Sequence, residues 1–176
     1  KKINISTAEI DVKNFKDVIK YTKPSNYKKF ILNNLNSGKL TAKIDLNFDQ
    51  SNNLKDYELN GKVKNLNFFF NKLDFKKTNF IFYFTQNSGE LDSIRSSLDG
   101  LQINAGEIRY LKNKNYEVSG SINSDFKINE SLIKNLIEIN LLSQFKSYSA
   151  EGKLNNKFNV KFDHTLKVKD YNVFST

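Results

Sequence analysis

Lys39-Leu40-Thr41-Ala42-Lys43-Ile44-Asp45-Leu46-Asn47-Phe48-Asp49 is the stretch on which the fold turns. Leu40, Ala42, Ile44, Leu46 and Phe48 take every second position, and polar or charged side chains take the positions between. Successive side chains of a strand point to opposite faces, so this spacing predicts a sheet with one apolar side and one wet side. The functional question is what the apolar side holds.

Upstream, Lys2 to Val12 reads as extended, and Phe15, Val18 and Ile19 predict a short helix near 13–21. Pro24 breaks the chain, and Ser25 is an N-cap candidate for a second helix over 25–36. There Tyr27, Phe30, Ile31 and Leu35 share one face before Gly38 ends it. Downstream, Gln50 to Asn53 is a polar turn, and Tyr57, Leu59, Gly61 and Val63 resume the alternation, which predicts a hairpin. Leu66, Phe68 to Phe70, Leu73 and Phe75 precede a strand from Thr78 to Thr85. Phe80, Phe82 and Phe84 lie on one side of it and Ile81 and Tyr83 on the other, a pattern that predicts cover on both faces. Leu91 to Leu98 pairs with Leu101 to Tyr110, which carries Ile103 and Ala105, across Asp99-Gly100, a dipeptide suited to a type I′ turn. Tyr116, Val118, Gly120 and Ile122 alternate next. Leu132, Ile133, Leu136 and Ile137 predict a third helix near 130–142, too short to cross a bilayer, before strands return at 148–154 and 158–168. The fold class is mainly β: an extended, curved antiparallel sheet forming a groove or trough, with two or three short helices.

Composition narrows the function classes. The 176 residues suffice for one large domain, and the absence of methionine, even at position 1, leads us to expect that 1–176 is a single fragment of a longer protein. Without cysteine there is no disulfide or thiolate metal site, and one histidine, His164, leaves a histidine-based metal centre or a Ser-His triad without parts. The net charge of +9 admits nucleic acid, an anionic membrane or acidic lipid head groups as partners. Lysine and asparagine are spread through the chain with no dense basic arm, and most aromatics share parity with aliphatics, so nucleic acid is not the expected partner.

Catalytic groupings are not apparent. Glu107 and Arg109 share a strand face as a surface ion pair worth roughly 0 to 1 kcal/mol, Glu90 and Asp92 flank a turn, and the glycines are isolated rather than gathered in a phosphate loop. The expectation is a protein that is not an enzyme, with no catalytic residues, no metal and no cofactor.

The order of signals is more telling. Tyr21-Thr-Lys-Pro24, a helix from Tyr27 to Leu35, and Gly38-Lys-Leu40 opening an alternating strand resemble the AsmA-like family of YhdP type, in the region upstream of its AsmA-like C-terminal domain. Tyr57-Glu-Leu-Asn-Gly61-Lys-Val63 looks like that family's strand, glycine, strand repeat. Leu101-Gln-Ile-Asn-Ala-Gly106-Glu-Ile108 looks like its later hairpin, and Ser131 to Leu142 resembles its interrupting helix. The resemblance covers most of the chain. It implies a Gram-negative envelope protein anchored in the inner membrane by a segment outside this fragment, and a periplasmic β-groove carrying phospholipid toward the outer membrane. Envelope proteins are possible further partners.

An apolar groove suits that task, because exposing two acyl tails to water costs on the order of 20 kcal/mol. The expected groove lining is Leu40, Ala42, Ile44, Leu46, Phe48, Leu59, Val63, Phe80, Phe82, Phe84, Ile103, Ala105, Val118 and Ile122. The competing expectation is that the same alternation builds a sealed core in a structural or assembly module of the envelope.

Overall fold

The computed structural model describes residues 1–176 apart from 71–72, 99, 114, 129–148 and 166. The elements are β1 (Lys2–Ser6), β2 (Ile10–Asp11), α1 (Val12–Ile19), α2 (Asn26–Asn34), β3 (Leu35–Phe48), β4 (Leu54–Phe70), β5 (Leu73–Thr85), β6 (Ser88–Leu98), β7 (Leu101–Lys112), β8 (Tyr116–Ile128), β9 (Ala150–Phe162) and β10 (Val168–Ser175). They form one open, ten-stranded antiparallel sheet in the order β1-β3-β4-β5-β6-β7-β8-β9-β10, with β2 also paired to β3. From β3 onward it is a meander in which each strand pairs with its sequence neighbour. The helix expected near 130–142 and Asp99 of the Asp99-Gly100 turn lie outside the described residues. The hairpin there is closed by the pairing of Leu98 with Leu101.

Local chemistry sets the helix boundaries. Ser25 caps α2, its Oγ accepting the Lys28 N–H at 3.1 Å. The helix stops at Asn34, earlier than expected, because Leu35 is already extended and paired with Phe68. Gly38 therefore does not end the helix. It sits inside β3 at φ 142°, where a Cβ would stand 2.7 Å from the Leu66 Cα, so a close backbone approach is what calls for glycine.

Curvature has an identifiable source. Register shifts occur on β4 between Val63 and Leu66, on β5 between Lys76 and Asn79, and on β7 between Ile103 and Ala105. Asn65, Lys77 and, on β6, Ser93 adopt left-handed φ values of 50°, 51° and 55°. Amide side chains hold the bulged backbone: Asn79 Oδ1 accepts the Asn65 N–H at 3.0 Å, and Asn67 Oδ1 accepts the Lys77 N–H at 2.8 Å. Bulges bend a strand and raise its twist, so bulges on four neighbouring strands crease the sheet along a line running across it.

Among the described residues the hydrophobic core is one small cluster. Val12 of α1 packs on Val63, Leu66 and Phe82, with Leu40 and Phe80 against it. Lys16 reaches from the helix to the Leu35 carbonyl at 2.9 Å, and Phe30 of α2 meets Phe70 edge-on. No large side chain among the described residues is fully buried. The chain exposes 12918 Å², whereas a compact monomer of this mass exposes about 8,800 Å². The described residues form a sheet with a local helical cover rather than a sandwich. Ile81 and Tyr83, expected under a second layer, are 53% and 40% exposed on the outer face. The C-terminal stretch is a paired strand, β10, along the far edge.

Candidate functional site

Cross-strand register assembles the alternating apolar positions into rows that run perpendicular to the strands. One row passes through Ile5, Ile44, Leu59, Phe84, Gly89, Tyr110, Val118, Val160 and Tyr171, crossing from β1 to β10 with no charged or amide residue in it. A second passes through Ala42, Gly61, Phe82, Leu91, Ile108, Gly120, Phe158 and Val173. Directly opposed pairs such as these are the closest side-chain contacts a sheet makes, so each row is a continuous hydrocarbon strip.

The glycines in these rows have a packing role. Where Gly61 faces Phe82 and Gly120 faces Phe158, the ring reaches across, its Cζ 2.7 Å and 2.8 Å from where the glycine Cβ would be. Phe84 lies over Gly89, and Phe126 over Gly152, in the same way. These rings take the space that a side chain at the glycine would fill and keep the strip apolar.

Leu40, Ala42, Ile44, Leu46, Phe48, Leu59, Val63, Phe80, Phe82, Phe84, Ile103, Val118 and Ile122 all lie on this face. Val63, Phe82 and Ile103 are buried and the others half-buried. Ala105 is the exception: the bulge on β7 turns it to the wet face, where it is exposed and paired with Asn123, and Gly106 takes the apolar position opposite Ile122. The face also holds residues beyond the expected set, among them Leu91, Ile94, Ile108, Leu154, Phe158 and Val160. The alternation of Phe158, Val160 and Phe162 could have revealed its continuation into β9. Ile94 was hidden by the bulge at Ser93, which changes parity between Leu91 and Ile94.

Toward one corner the face is plugged, since α1 covers Leu40 and Val63 while α2 touches β3 and β4. Over β6 to β10 no helix or strand among the described residues packs as a second layer.

The outer face is polar and internally compensated. Arg109 contacts Glu90 at 3.2 Å and Glu107 at 3.6 Å, and Lys43 contacts Asp45 at 3.2 Å. A hydrogen bond from Asn4 and the Lys43 ammonium hold the Asp45 carboxyl below its ordinary range. At the β9–β10 turn, Asp163 accepts hydrogen bonds from the Thr165 hydroxyl at 2.6 Å and the Thr165 and Lys167 N–H groups at 2.8 and 3.1 Å, which draw its pKa down to about 2. His164 beside it is exposed.

The fold and face together define a class: an open antiparallel sheet with one apolar and one polar surface. No family model matches the chain, and no curated protein or solved structure does. Among the described residues no helix is long and apolar enough to cross a membrane.

Proposed function

We propose that the chain is a segment of a non-enzymatic phospholipid carrier, acyl chains lying along the apolar rows while head groups stay in water at the open side. The observation that carries this reading is the continuity of the two rows from the β1 side of the sheet to β10, with no second layer above β6 to β10 among the described residues. Acyl chains lack directional groups, so their binding needs unbroken apolar surface of sufficient length and no particular polar contact. A path without interruption matters because each methylene returned to water costs about 0.8 kcal/mol. The resemblance to AsmA-like proteins of YhdP type leads to the same reading, and with it to inner-membrane anchoring outside this fragment and a periplasmic location.

Mass spectrometry of purified protein is expected to find phospholipid, and Ile44→Asp with Leu46→Asp is expected to abolish it. Lipid-free wild-type protein would overturn the reading. A structural module of the envelope is the second reading, favoured by the exposed edge strand β10, whose Tyr171, Val173 and Phe174 are all exposed. It predicts assembly through that edge with no lipid present.

A further inference from the structure

The positive charge is not spread evenly once it is placed on the fold. Between Lys13 and Lys29, on the hairpin of α1 and α2, lie six lysines and a single acidic residue, Asp17. Asp17 is taken by Lys20 at 2.6 Å. Lys16 and Lys28 donate to main-chain carbonyls, of Leu35 and of Lys20 and Thr22, which leaves their charges uncompensated. The ammonium groups of Lys13, Lys23 and Lys29 make no hydrogen bond or ion pair with the described residues. Elsewhere lysines commonly face carboxylates, as Lys153 faces Asp125 and Lys161 faces Glu117 across β8 and β9.

The same tip exposes apolar groups. Tyr21 is 92% exposed and Val18 65%, set among the lysines. Single-stranded nucleic acid would use the charge and a stacking ring but has no use for an exposed aliphatic side chain such as Val18. Lysines ringing an exposed tyrosine and valine match a bilayer surface, where the ammonium groups meet lipid phosphates and the tyrosine ring sits among head groups. We propose that the α1–α2 hairpin docks this protein on an anionic bilayer surface. The docking stands on charge and exposure. Its meaning for transport rests on the carrier reading: the hairpin is rooted on β3 and β4, near the first end of the apolar rows, so the bilayer would meet the trough there.

Flotation with phospholipid vesicles tests this, using roughly 30 per cent anionic lipid against purely zwitterionic vesicles. Wild-type protein is expected to float with the anionic vesicles, and less so as salt rises from about 0.05 to about 0.5 M. Lys13→Gln, Lys23→Gln and Lys29→Gln together are expected to weaken binding about a hundredfold, at roughly fivefold per lysine. Tyr21→Ser should weaken it further. All these side chains are exposed, and an unchanged circular dichroism spectrum checks the fold. Lys153→Gln, Lys157→Gln and Lys161→Gln together make the same change in net charge on β9 and are expected to leave flotation intact. Equal loss in the two triple variants, equal binding to zwitterionic vesicles, or retention by RNA but not by vesicles would overturn the proposal. Ile44→Asp with Leu46→Asp separates the two readings: that variant is expected to lose bound lipid yet still float.

Discussion

The glycine–phenylalanine pairs place strict demands on single atoms. A Cβ at position 120 would stand 2.4 Å from the Glu107 carbonyl oxygen and 2.8 Å from Phe158 Cζ, and backbone cannot yield cheaply. Gly106 is roomier, its nearest neighbour being the Ile94 Cβ at 3.3 Å. Gly120→Ala is therefore expected to destabilise the fold by about 1–3 kcal/mol and Gly106→Ala by less than about 1 kcal/mol, read from urea midpoints at unchanged slope. Asp163 supplies a pH dependence. Its folded pKa of about 2 lies below the about 3.9 of an unfolded aspartate, so its contribution is complete above pH 4 and is lost as pH falls through 2. Thermal unfolding of Asp163→Asn should show a deficit against wild type at pH 6 that narrows below pH 4 and closes near pH 2. A deficit independent of pH would mean that the carboxylate charge does not hold the turn.

At the level of strands and helices, alternation made much of the architecture legible. Leu40 to Phe48, Tyr57 to Val63 and Phe80 to Phe84 paired as their parity required, and both N-terminal helices formed within a few residues of the expected ends. What parity cannot reveal is a change of parity. One inserted residue moves every later side chain to the opposite face, and nothing in Asp92-Ser93-Ile94 or Ile103-Asn104-Ala105 announces it. That one change puts Ala105 on the wet face and Ile94 on the apolar one, against the alternation of their neighbours. Ile81 and Tyr83 misled in another way, since a β-prone side chain on an exposed face reads in sequence like a buried one. The bulge at Ser93 makes a prediction of its own. Ser93→Gly removes a left-handed serine and is expected to stabilise by about 0.5–1 kcal/mol. Deleting Ser93 would turn Ile94, Ser96 and Leu98 toward the polar side, and the product is expected to aggregate or to lose its cooperative transition.

For the molecule as a whole, the decisive quantity is how little apolar surface the described residues cover among themselves. Heat capacity of unfolding follows apolar area newly exposed, at about 12–15 cal/mol/K per residue for ordinary globular proteins, or roughly 2.1–2.6 kcal/mol/K for a chain of this length. A single sheet with one corner plugged by Val12, as the described residues form, has less to expose, so delipidated protein should fall clearly below that range in calorimetry. Phospholipid seated on the rows would add its covered area to the folded state and bind the unfolded chain poorly. Its return should then raise both the heat-capacity change and Tm, the latter with lipid concentration as mass action requires. Ile44→Asp with Leu46→Asp should leave the low starting value and abolish the rise. An ordinary heat capacity in delipidated protein would mean that the apolar rows are already covered, and lipid would have nowhere to lie.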